Sequence, residues 1–298
     1  MTVRLRDRAL TPVPGRPLIM GIVNAGPDSF SDAIRLSTLQ SQVEHARRLV
    51  AEGADLVDVG GESGVTYTPA SPPEVEIARV VPLVERLAAE GVAVSVDTWK
   101  PAVAEAALEA GAVMINDTSG LRDIALAQLC ARTGAALVVM HTRAAPKEEH
   151  FADYDGDVTG DVVRFLAERC DAARAAGVAD DQLVLDPGPD FAKTPQETIE
   201  VLRGIDRLQE LGLPLLLAVS RKYFLGAITG RPPAERLAAT LAAVGWAADA
   251  GAAMVRVHEV AQAVDYLRVR AVLAGDEELA PFDCDDDALK WIRVRSTS

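Results

Sequence analysis

Two cations, Arg221 and Lys222, follow directly on the apolar run LPLLLAVS, and Arg256 and His258 lie at the end of another, AAMVRV, which continues into HE. Guanidinium, ammonium and imidazole groups gathered at the ends of buried segments are suited to anion binding, because they fix phosphate or carboxylate by charge-assisted hydrogen bonds. Other apolar runs end in acceptors instead: Asp97, Asn116 and Asp186. A carboxylate or carboxamide in such a place can accept from a neutral heterocycle rich in N–H donors. The two sets together predict a ligand with a flat, amide-like ring at one end and phosphate at the other.

The elements that must position these groups are legible in the hydrophobic pattern. Short apolar runs rich in β-branched residues begin at residues 18, 55, 92, 112, 136, 182, 213 and 252. Between them lie Ala-, Leu-, Glu- and Arg-rich stretches of helical character, such as LQSQVEHARRLVAEG and PAVAEAALEAG, many closed by glycine. Continuous apolar strands alternating with helices predict a parallel sheet covered by helices. Eight such units predict an α/β (β/α)8 TIM barrel over residues 18–274, with a doubly wound open sheet as the alternative. In a barrel the residue after every strand faces one end, the C-terminal mouth, where active sites of this fold form. Residues 1–17 are expected to form an N-terminal extension, and 275–298 an acidic C-terminal tail that begins GDEELAPFDCDDD.

Composition narrows the function further. A net charge of −14 opposes nucleic acid, whose phosphates demand a basic face. No run of uncharged apolar residues is long enough to span a membrane, and the N-terminus lacks a signal core, so the expected location is cytoplasmic. Cys130, Cys170 and Cys284 are scattered and form neither a disulfide framework nor a zinc motif. Several polar residues have plainer structural explanations. Asp117 and Asp123 suit caps, Met140 suits the core, His141 suits a satisfied barrel-mouth histidine, and His45 and His150 suit the surface. Asp55 opens its strand and lies at the wrong end for chemistry.

The stretches MGIVNAGPDSFSD, VDVGGES, SVDTWKPAVAEAALEAGAVMINDTSG, LVLDPGPDFAKT, AVSRKYFLG and VRVHEV occur in an order and at spacings that resemble the dihydropteroate synthase family, from about Leu18 to Leu273. The resemblance implies a pterin-binding TIM barrel, often a homodimer. Its members join 6-hydroxymethyl-7,8-dihydropterin diphosphate to para-aminobenzoate and release diphosphate with the help of Mg2+, a step of folate biosynthesis. Carried over onto matching positions, Asp97, Asn116, Asp186 and Lys222 correspond to pterin ligands, with Met140 and Phe191 packing the ring. By the same resemblance Asp97, Asp186 and Lys222 are the catalytic set. Arg256 and His258 correspond to diphosphate ligands, and Asn24 to the metal-side and diphosphate-side residue of the first loop. Ser220 and Arg221 correspond to the aminobenzoate side.

The chain departs from the family pattern around the leaving group and second substrate. After GES, family members carry Thr or Ser and then Arg-Pro-Gly, whereas here Gly64 and Val65 follow. Gly26 stands where the first loop usually has a hydroxyl, and Asp190 where a glycine is usual. Tyr223 stands where a small residue is common after SRK, and a small residue there leaves backbone N–H groups open to a carboxylate. Thr66 and Tyr67 are candidates for substitute contacts. These changes leave room for a pterin-binding paralogue that uses another nucleophile, or one with little synthase activity. The pterin-binding methyltransferase barrels and a non-catalytic partner of another folate enzyme are more distant alternatives.

Overall fold

The computed structural model describes residues 2–13, 15–26, 38–63, 66 and 68–279. The eight expected runs form strands that all pair in parallel: β3 (Leu18–Asn24), β4 (Leu56–Gly60), β5 (Val94–Asp97), β6 (Met114–Asp117), β7 (Ala136–Met140), β8 (Leu183–Asp186), β9 (Leu216–Leu217) and β10 (Met254–Val257). Pairing runs in chain order from β3 to β8, then from β9 to β10 and back to β3. A parallel bridge between Leu185 and Leu215 brings β8 to β9 and closes the ring. The fold is the TIM barrel that the pattern predicts. The seventh run is the least regular, because Pro214 has no N–H to give the ladder and contributes only its carbonyl, to Leu185 N.

Helices α1 (Leu39–Ala51), α2 (Pro73–Ala89), α3 (Pro101–Glu109), α4 (Ala125–Thr133) and α5 (Val158–Ala175) follow successive strands. They are joined by α6 (Pro195–Arg203), α7 (Ile205–Gln209), α8 (Tyr223–Thr229), α9 (Leu237–Asp249) and α10 (Val260–Ala274). Their starts show the local logic. Thr194 caps α6 with Glu197 reaching back to it and Pro195 at the first turn, while α4 ends at Gly134 in the left-handed conformation. Side chains alternate across each strand. Outward residues such as Val59, Val96, Ile115, Val139 and Leu217 form the layer beneath the helices.

Inward residues divide by height. Leu18, Met20, Leu56, Met114, Val138, Val184 and Met254 fill the lower interior. A hairpin of β1 (Val3–Leu5) and β2 (Arg8–Leu10) inserts the fully buried Val3 and Leu5 into this apolar layer, so residues before the barrel plug its base. Asp55 belongs to the base, accepting from Ile19 N at 2.8 Å. Above the apolar layer, at the C-terminal end of the same strands, the interior turns polar.

Candidate active site

Strand register sets the polar layer. Asp97 pairs with Asn116 across β5 and β6, and Met140 with Asp186 across β7 and β8, so these residues end their strands at nearly one height. One layer deeper, β4 and β10 contribute Asp58 and Arg256. Asp58 is fully buried, and its Oδ2 accepts from Asn116 Nδ2 at 3.0 Å and from Arg256 Nε at 2.7 Å. The other side of the guanidinium donates to Asp97 Oδ2 at 3.2 Å, and Asp97 Oδ1 accepts from Thr118 Oγ1 at 3.3 Å. Although burial works against its charge, Asp58 and Asp97 hold Arg256 protonated more firmly than usual. Burial raises the Asp97 carboxyl above its ordinary value despite Arg256. It also raises Asp186, whose Oδ1 accepts from Gly188 N at 2.7 Å. Asp58 Oδ1 and Asn116 Oδ1 are buried with no hydrogen-bond partner among the described residues. Such orphaned acceptors are costly and call for donors from a ligand or an ordered water.

The turn after β8 is built around Gly188, at φ +64°, where a Cβ would fall 2.1 Å from His141 O. Only glycine tolerates that approach, and the turn brings Asp186 and Phe191 to the mouth together. Lys222 Nζ lies 4.3 Å from the centroid of the Phe191 ring, a cation–π contact. Burial pushes the Lys222 amine below its ordinary value, against Asp190 and Asp186. Met140 is almost fully buried beneath this turn, its Cγ close to Gly188.

The cations after β9 and β10 are more compensated than their types alone predict. Arg221, at φ +57°, directs its guanidinium to Glu259, with Nε 2.8 Å from Oε1. Ser220 Oγ lies 2.9 Å from His258 Nδ1 and accepts from His258 N at 3.3 Å. Burial, then Arg221, Arg256 and Lys222, depress the His258 imidazole to about 3, so it is neutral at physiological pH and not the cation expected from its type. Positive charge in this quadrant thus rests on Arg256, Lys222 and Arg221, each set near acids.

Three features escaped sequence reasoning. The first is Asp58, although an acid in the middle of the buried run LVDVG was a usable signal. The second is Lys193, 1% exposed, whose Nζ donates to the carbonyls of Gly188 and Phe191 at 3.0 and 3.1 Å. It also meets His141 Nδ1 at 2.7 Å, and His141 Nε2 meets Asp161 Oδ2 at 3.0 Å. His141 is therefore the satisfied histidine its position suggested, and it braces the β8 turn from behind. The third is a clasp on the second loop. Glu62 receives Lys100 at 2.5 Å, Lys147 at 3.3 Å and Ser71 N at 2.9 Å. Burial works to raise the Glu62 carboxyl, but Lys100, Ser71 N–H and Lys147 outweigh it and hold it below its usual value. Lys147, from the loop after β7, also donates to Ser63 O and to Thr68 Oγ1.

The plainer assignments hold for Asp117 and Asp123, which accept from nearby backbone N–H groups. Asn24 ends β3 at the mouth, half-buried. Gly26 lies against Gly61 O, which a Cβ would approach to 2.9 Å, so a larger residue would force the first two loops apart. Gly64, Val65, Tyr67 and the tail from residue 280 onward lie outside the described residues. Among the described residues, no three carboxylate, imidazole or thiolate side chains could hold a metal ion together, and no helix is long and apolar enough to cross a membrane.

The family model for pterin binding enzymes matches residues 20–258. The chain belongs to the dihydropteroate synthase family of pterin-binding enzymes. The dihydropteroate synthase of Mycobacterium leprae is 42% identical over 276 residues, covering 90% of this chain and 97% of that protein. That of Streptococcus pyogenes serotype M6 is 39% identical over 268 residues, covering 88% and 97%. Among solved structures, the Xanthomonas albilineans dihydropteroate synthase with 4-aminobenzoic acid superposes with a TM-score of 0.83 at 42% identity, covering 92% of this chain and 99% of that one. The Burkholderia cenocepacia dihydropteroate synthase complexed with 7,8-dihydropteroate gives 0.82 at 39% identity, covering 92% and 98%. As a member of this family the chain is an enzyme, a dihydropteroate synthase-like transferase that forms a C–N bond in folate biosynthesis.

Proposed function

We propose that the protein condenses 6-hydroxymethyl-7,8-dihydropterin diphosphate with para-aminobenzoate, and that the mouth residues divide the work as follows. The observation that carries the assignment is the buried layer of Asp58, Asp97, Asn116 and Asp186, in which Asp58 Oδ1 and Asn116 Oδ1 find no donor among the described residues. A pterin edge, rich in N–H donors, is the matching ligand. Asp97, Asn116 and Asp186 accept from it, Asp58 fixes the Asn116 carboxamide and the Arg256 guanidinium, and Phe191 covers the ring under Lys222.

Breaking the C–O bond to diphosphate leaves positive charge on the pterin methylene, delocalised into the ring. Asp97 and Asp186, held in a water-poor layer, stabilise that charge by fixed electrostatics. Arg256, anchored by Asp58, and His258, oriented by Ser220, hold the departing diphosphate. The arylamine nitrogen then forms the C–N bond and gives its proton to solvent. Mg2+, held at the mouth by Asn24, would offset the charge of the leaving diphosphate. Asn24 offers one amide oxygen at the mouth, which fits an ion bound chiefly through substrate phosphates and water, as Mg2+ prefers. A homodimer is part of the same proposal, supported by the apolar groove among α6, α8 and α9 where Ile228 and Trp246 are exposed.

Diphosphate release from the pterin diphosphate with Mg2+, measured with and without para-aminobenzoate, tests the assignment. Release that requires the arylamine and yields dihydropteroate supports it. Arylamine-independent release assigns another nucleophile, and tight pterin binding without release removes the synthase activity.

A further inference from the structure

A cavity of about 320 Å3 opens beside the carboxylate layer, sharing Phe191 and Lys222 with it and walled by Trp99, Thr118 and Phe151. Its aromatic walls and its place next to the pterin floor suit the arylamine. Its charge does not suit an anion. Among the described residues, the acids Glu148, Glu149 and Asp190 line it together with His150, against Lys147 and Lys222. Lys147 is committed to Glu62 and the second loop, and Lys222 sits on Phe191 beside Asp186 and Asp190.

Asp190 is the unusual member. It holds a left-handed backbone at φ +64°, a conformation that glycine adopts without strain and a side chain does not. Its carboxylate receives Tyr223 N, and its two oxygens lie 3.3 Å from Phe224 N. Thr198 Oγ1 braces it, donating to Oδ1 at 3.2 Å and accepting from Asp190 N at 3.0 Å. Lys222, the residue preceding α8, provides no side-chain cap, so the capping carboxylate is imported from the loop after β8. The Tyr223 ring, expected to crowd this approach, is 62% exposed and is not part of the cavity wall.

We propose that Asp190 is a specificity-determining residue for the second substrate. Its carboxylate already engages the Tyr223 and Phe224 N–H groups that a carboxylate-bearing arylamine would use, and it adds negative charge to the cavity. The outer cavity therefore favours arylamines without an anionic group at that end, and para-aminobenzoate is a weakly held substrate. The proposal rests on the synthase reading for its kinetic form, but its binding form stands apart from turnover.

The test compares para-aminobenzoate with 4-aminobenzamide, its uncharged analogue, in the full-length protein and in the variants Asp190→Gly and Asp190→Asn. Both replacements tolerate the left-handed backbone, so a fold lost in one leaves the other. In Mg2+-supported diphosphate release, the ratio of kcat/KM for the acid over the amide should rise about tenfold or more in Asp190→Gly, and less in Asp190→Asn. An unchanged or lowered ratio in both variants overturns the proposal. If no arylamine supports release, the synthase reading fails separately. Calorimetric titration of the same two ligands into protein saturated with 7,8-dihydropterin and diphosphate then decides. A tenfold gain for the acid alone on replacing Asp190 sustains the proposal, and equal affinities across the three proteins sink it.

Discussion

Two groups of buried charge lie close together at the top of this barrel, and they are finished differently. In the mouth, Asp58, Asn116, Asp97 and Arg256 bind one another, yet Asp58 Oδ1 and Asn116 Oδ1 are left without a protein donor among the described residues. Behind the β8 turn, Lys193, His141, Asp161 and Arg143 form a chain in which each buried side-chain polar atom has a partner. A buried network left incomplete costs stability, and one that is complete gives rigidity. On the proposed reading a ligand completes the mouth, while the bracket, already complete, holds Gly188, Phe191 and Asp186 still.

Breaking the mouth should cost activity and spare the fold. Asp186→Ala removes a buried carboxylate whose ionisation burial already opposes, and we expect kcat/KM for diphosphate release to fall about 10³-fold, roughly 4 kcal/mol. Its thermal midpoint should stay level or rise; a protein that unfolds instead would place Asp186 with the bracket.

Breaking the bracket should do the reverse. Lys193→Met takes the donor from His141 Nδ1 and the Phe191 carbonyl and one of two donors from the Gly188 carbonyl, and a loss of about 3 kcal/mol in urea unfolding is expected. The folded variant should retain turnover to within about tenfold. A larger kinetic loss with unchanged stability would make Lys193 part of the chemistry.

Acid sharpens the contrast. Burial, then Lys193, depress the His141 imidazole to about 3, against a usual value of 6.5. The unfolded chain takes up a proton first, so stability present above 6.5 is lost as pH falls from there towards 3. One such group contributes a slope of about 1.4 kcal/mol per pH unit. His141→Asn should flatten the fall in melting stability between pH 6 and 4 by one proton, and an unaltered slope assigns the acid sensitivity to other groups.

The smallest effect on either cluster is expected from Trp246→Asp, in the groove among α6, α8 and α9 and a member of neither cluster. Sedimentation should show the proposed homodimer shifting to a monomer with turnover per chain within about twofold. A dimer that survives this charge rules out the groove as the contact.

Much of this contrast was invisible in the chain, for identifiable reasons. Asp97, Asn116, Asp186 and Lys222 could be picked out because each directly follows an apolar run, and in a barrel that position faces the mouth. Asp58 lies inside its run, where a single acid is masked by its apolar neighbours. Lys193 stands in FAKT at the start of a helix, where exposure is the default for lysine, and only the folded loop surrounds it with carbonyls. Arg221 and His258 were recognisable as polar groups at the mouth, but not their condition there, since Glu259 neutralises one and burial discharges the other.

By itself the sequence determined the eight strands and their parallel sense, because continuous apolar runs of β-branched residues separated by amphipathic stretches have one economical way to hide their faces. It also determined which residue types stand at the mouth. The tertiary structure decided the charge each one carries and whom it serves. Those depend on distances between strands far apart in the chain and on burial, which together set whether a cation meets a partner, a ligand or an acid such as Asp190.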